Sequence, residues 1–181
     1  QPGTWVGLVH TLLLFTLAVL WEQPWLPYVA AALGFITVIE RLVWVMPPAT
    51  DVPVAFALLA LGYGLVGYGL EYARARGRLQ GPLRVLERPL EHTGLLLSAI
   101  ATGMLLLWAP SVLERLIHAL IGRPMLIPKD VPMVQAAVAV LALTGLLYLG
   151  AALVRRWYWR GYGAVALLLC AWSLEWLLVW D

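Results

Sequence analysis

Six apolar runs, each close to the length of a bilayer crossing, divide this chain, at about 5–21, 27–46, 54–72, 89–109, 133–154 and 161–180. A hydrocarbon core is about 30 Å thick and an α-helix rises about 1.5 Å per residue, so one crossing takes roughly 20 apolar residues. A backbone in hydrocarbon must satisfy its own hydrogen bonds, and a helix does so within one segment. The expected fold is therefore all-α: a polytopic helical integral membrane protein of about six transmembrane helices. With 62% hydrophobic and 12% charged residues and a mean hydropathy of +0.86, the chain carries more apolar surface than a soluble domain of its size can bury. One transmembrane domain spanning 1–181 leaves little chain for a soluble one.

Charge sets the orientation. The stretch Glu71–Glu91, EYARARGRLQGPLRVLERPLE, holds five arginines, and a second basic turn, Arg155-Arg156-Trp157-Tyr158-Trp159-Arg160, holds three more. With six spans both fall on one side, while Arg41, Arg115, Arg123 and Lys129 fall on the other. The positive-inside rule makes the basic loop at 73–88 and the 155–160 turn cytoplasmic. Arginine outnumbers lysine eleven to one and asparagine is absent, which suits a GC-rich prokaryotic genome and an inner, cytoplasmic membrane. A net charge of +2 placed beside apolar runs offers no surface that tracks a phosphate backbone, so nucleic acid is not an expected partner. The bilayer and other membrane helices or subunits are.

The segment 111–121 is apolar but only about eleven residues long, too short to cross, and carries Glu114, Arg115 and His118; it reads as an interfacial helix opposite the basic side. Pro82 to Arg88 reads as a short amphipathic turn with Arg84, Glu87 and Arg88 on its wet side. Asp51 is placed to cap the third span by accepting from the Val54 N–H. An internal repeat is visible: Val38-Ile39-Glu40-Arg41-Leu42-Val43 echoes Val112-Leu113-Glu114-Arg115-Leu116-Ile117, and an Asp-Val-Pro follows each, at 51–53 and 130–132. A third copy starts at Ser173-Leu174-Glu175, so the expected architecture is a series of related hairpins. The start at Gln1 and the stop at Asp181 read as a piece of a longer polypeptide or a processed start.

Ionisable groups inside a membrane cost roughly 2.5–3.5 kcal/mol at a helix centre, so each is a candidate for function. Glu175, Glu40 and Glu114 occupy the repeated position and are the ion or proton candidates; an interfacial or helix-to-helix hydrogen bond is the plainer account of each. His10 and His118 are the two histidines that share a side, which makes them the candidate ligands of a haem or chlorophyll-type pigment; ordinary polar packing is the plainer account. Ala60, Gly64 and Gly67 fall on one helical face as a groove for close helix packing. Trp172 and Trp176, with Trp180, recur every four residues, a face for docking a partner or for contact with lipid. The single cysteine, Cys170, has no partner for a disulfide, and no Cys/His metal signature appears. With no catalytic arrangement or nucleotide loop, an enzyme is the least supported class, and no catalytic residue or metal is expected.

The leading expectation is a membrane-embedded structural or accessory module of a larger protein or complex. The alternatives are a secondary-transport or ion- or proton-translocating module built on an intramembrane glutamate, and a pigment- or haem-binding membrane subunit.

Overall fold

The computed structural model describes residues 2–78, 81–107 and 131–180, with side chains over 4–176 of those ranges. Its elements are α1 (Pro2–Trp21), α2 (Leu26–Val45), α3 (Asp51–Ala75), a 3-10 turn (Pro82–Leu86), α4 (Glu87–Leu106), α5 (Val131–Arg155) and α6 (Tyr158–Trp180). The all-α class is as expected. Among the described residues four helices are long and apolar enough to cross a membrane: α1 from Thr4, α2, α3 and α5. The other two have the length, with 20 and 23 residues. Their ends are more polar: α4 opens with Glu87, Arg88, Glu91 and His92, and α6 carries Arg160 and Glu175. The expected interfacial helix at 111–121 and the second copy of the Glu-Arg repeat lie outside the described residues.

The basic loop is shorter than the expected 73–88, for a local reason. Helix α3 runs on through Ala75 and stops where Gly77 takes a left-handed φ of +69°. The Arg78 N–H donates back to the Ala73 carbonyl and the Gly77 N–H to Arg74, both at 2.9 Å. This glycine-terminated closure satisfies carbonyls that the helix end would leave open. Asp51 is not the cap of α3. It is the first helical residue; its N–H donates to the Pro48 carbonyl at 2.9 Å, and Thr50 holds the N-cap position without a side-chain cap bond. Its carboxylate instead sits in the first turn, where the helix dipole favours an anion.

The helices form three hairpins, α1 with α2, α3 with α4, and α5 with α6; α3 also packs along α5 and joins the second hairpin to the third. Small residues allow this. A Cβ on Gly94 of α4 would stand 2.9 Å from the Ala60 carbonyl oxygen and from the Gly64 nitrogen of α3. One on Gly67 would stand 3.0 Å from the Glu87 oxygen and the Glu91 nitrogen. The backbones of α3 and α4 thus touch, as in small-residue helix pairs. On the other side of α3, Leu147 of α5, fully buried, fills the space beside Gly64. Phe56, Val134, Val140 and Leu174 close the core toward the opposite end.

Candidate functional site

Because the helices alternate in direction, the C-terminal ends of α3 and α5 and the N-terminal ends of α4 and α6 share one end of the bundle. The contact at Gly67 lays the first turn of α4 on the last turns of α3, which brings Glu87 and Glu91 beside Glu71 and Arg74. Only Arg156 and Trp157 link α5 to α6, with Arg156 at φ +53°. That left-handed step reverses the chain so sharply that Arg155, last in α5, and Arg160, in the first turn of α6, face the same neighbours.

The result is a chain of four alternating charges. Arg155 Nε lies 3.0 Å from Glu71, and its Nη2 pairs with Glu91; Arg160 Nη1 lies 3.2 Å from the other Glu91 oxygen. Glu91 is 2% exposed and Arg160 9%, so both charges have left water and depend on each other. The Trp157 ring lies against both guanidiniums, 4.2 Å from Arg160 and 5.3 Å from Arg155, adding cation–π contacts. A separate pair joins Arg74 Nε to Glu87 at 3.0 Å. Tyr68, also 2% exposed, packs below the charges, and its hydroxyl has no hydrogen-bond partner among the described residues.

Two carboxylates and two guanidiniums cancel in the main network. Such a cluster is costly to bury, and breaking it is costlier, because one partner's removal strands the other's charge. It fixes the relative position of four helix ends. It offers no free carboxylate for proton exchange and no nucleophile.

Two cavities open at the same end. One, of about 490 Å³, is lined by Glu71, Arg74, Glu87, Arg88, His92, Arg155 and Trp157. The other, of about 470 Å³, lies between Pro24, Tyr28, Arg74, Arg84, Val85, Glu87, Arg88 and Pro89. At their margin the Tyr28 hydroxyl and His92 Nδ1 are 2.9 Å apart, tying α2 to α4.

No protein-family model, curated protein or solved structure matches this chain.

The residues singled out from sequence fall elsewhere. Glu40 and Glu175 are exposed on the outer surfaces of α2 and α6. Glu114 and His118 lie outside the described residues. His10 is exposed on α1, with Nδ1 donating to the Val6 carbonyl at 2.7 Å. Trp172 and Trp176 are exposed and meet edge to face at 5.8 Å. Ala60, Gly64 and Gly67 are buried, the two glycines against α4 and α5 as described. Glu87, expected on the wet side of a surface turn, is buried and paired because it opens α4 on the α3 side. No group of three His, Cys, Asp or Glu residues that could hold a metal occurs among the described residues.

Glu71, Glu91, Arg155 and Arg160 are not among the candidates that residue order singles out. A signal for them existed: each stands at the end of an apolar run, and helices that alternate in direction put all four at one end of the bundle. Which of them pair is a matter of helix rotation, and nothing in a single sequence gives that.

Proposed function

We propose that this chain is a membrane-embedded structural or accessory module of a larger membrane protein or complex. In this reading α4 and α6 also cross the bilayer, giving six spans in related hairpins, with the arginine-rich end in the cytoplasm of a prokaryotic cell. The observation that carries the proposal is the saturation of the charged end, where Glu71, Glu87 and Glu91 are each held by an arginine. Charges committed to one another lock helices together and are poorly suited to passing a proton or ion.

The outer surface supports a partner. Glu175 lies between Trp172 and Trp176 on an exposed face of α6, and a carboxylate on such a face calls for a hydrogen-bonding neighbour on another helix. A transport reading has less behind it, since Glu40 and Glu175 both point away from the bundle interior. A pigment reading rests on His10, whose ring is engaged with its own helix.

The test is the native mass and absorption spectrum of the protein extracted from its own membrane in mild detergent. A colourless particle containing further polypeptide is expected. A colourless 20.0 kDa chain alone would overturn the accessory reading and favour transport. A Soret or chlorophyll band would favour the pigment reading.

A further inference from the structure

We propose that the cavity of about 470 Å³ at the arginine-rich end is a binding site for the headgroup of an anionic phospholipid. The proposal rests on the membrane reading above and adds a ligand to it. Three arginines line the cavity, Arg74, Arg84 and Arg88, against one acidic residue, Glu87. Glu87 is already engaged by Arg74 at 3.0 Å. Arg84 and Arg88 have no ion-pair partner among the described residues, so two cations face the cavity uncompensated.

Both are held in place by the fold. The 3-10 turn Pro82–Leu86 that carries Arg84 packs on α1, α3 and α4, and Arg88 follows in the first turn of α4. They stand four residues apart across the junction of the 3-10 turn with α4, and both line the same cavity. A guanidinium fork matches two phosphate oxygens at once. The remaining wall is apolar or aromatic, with Pro24, Val85, Pro89 and the Tyr28 ring. Free inorganic phosphate, a compact and strongly hydrated ion, gains nothing from such a wall, whereas the glycerol and upper acyl carbons of a lipid do. Exposed Trp21 and Trp25 flank the α1–α2 turn at the same end and suit the headgroup depth of a bilayer.

The experiment uses the whole chain. Cell membranes are separated from the soluble fraction, the protein is extracted in mild detergent, and native mass spectrometry follows binding of phosphatidylglycerol and of phosphatidylcholine with matched acyl chains. One phosphatidylglycerol per chain is expected to bind in preference to phosphatidylcholine. The double variant Arg84→Gln/Arg88→Gln should lose that binding by roughly 30-fold, two basic contacts at a membrane surface together. Arg78→Gln, an exposed arginine outside the cavity, should leave it unchanged. Equal binding of the two lipids by the wild-type protein would overturn the proposal whether or not the double variant folds. So would equal losses in the Arg78 variant, or displacement of the lipid by millimolar inorganic phosphate. Recovery of the protein in the soluble fraction would overturn the membrane reading itself, and the lipid site with it.

Discussion

Glu91 and Glu175 are both carboxylates in long apolar helices, and they meet opposite fates. Glu91, in the second turn of α4, is enclosed by Arg155 and Arg160 and is almost fully buried. Glu175, far along α6, is exposed beside Trp172 and Trp176. Neighbouring helices account for the difference. At the arginine-rich end α3, α4, α5 and α6 converge, so Glu91 has partners from two of them; at Glu175 the outer face of α6 is turned away from the bundle. A charged residue in an apolar helix is thus a question about the surface it faces, and the two ends of this molecule answer it differently.

Removing the central carboxylate is the strongest way to break the contrast. Glu91→Leu strands the buried Arg160, whose only carboxylate contact among the described residues is Glu91, while Arg155 keeps Glu71. The loss should be about 3–5 kcal/mol, read as the unfolding midpoint in detergent. A result under 1 kcal/mol would mean that the network does not hold the helix ends.

The next test moves the helices that make the network possible. Gly94→Val places side-chain atoms against the Ala60 and Gly64 backbone, where no side chain can yield. It should cost roughly 1–3 kcal/mol by overpacking. It should also lower the protection of Glu91-region amides in hydrogen exchange, because α4 carries Glu91 away from the arginines.

Arg156→Gly addresses the link between α5 and α6. A left-handed arginine costs about 1 kcal/mol or more relative to glycine, partly offset by the entropy glycine adds to the unfolded chain. The expected outcome is a stability gain of about 1 kcal/mol or less, with the φ of +53° retained. A loss would mean that the Arg156 side chain contributes a contact larger than its strain.

The smallest effect belongs to the other arm of the comparison. Glu175→Gln should change the stability of the isolated chain by less than about 0.5 kcal/mol, as for an exposed substitution away from any network. Under the proposed accessory role, its effect should instead be on the mass of the native particle, which loss of the carboxylate should lower. A large drop in the isolated chain's own midpoint would place Glu175 in a structural contact within it.

Much of the fold was legible in residue order. Pro27 at the start of α2 and the apolar lengths of the runs mark helices from local chemistry alone. The expected basic loop starts too early, at 73, because the alternation of Arg74, Arg76 and Arg78 looks like loop by polarity, whereas Ala73, Arg74 and Ala75 are helical. Helix propensity and the closure at Gly77 keep those three residues in α3. The glutamate candidates follow from the repeated position and the apolar setting along the chain, which are properties of one segment at a time. The Glu71–Arg155–Glu91–Arg160 chain belongs to four.

What the sequence determined by itself is therefore one-dimensional: the all-α class, the approximate place of each helix along the chain, and the gathering of arginines at one end, each set by apolar run length, turn residues and charge spacing. The tertiary structure alone decided which glutamates are buried and paired and which are left outside. That choice depends on the rotation of each helix about its axis, fixed by backbone contact at Gly67 and Gly94 and by the two-residue link at Arg156. Turning a helix by half a turn about its axis would exchange inside for outside without altering hydropathy, so no reading along the chain could make that choice.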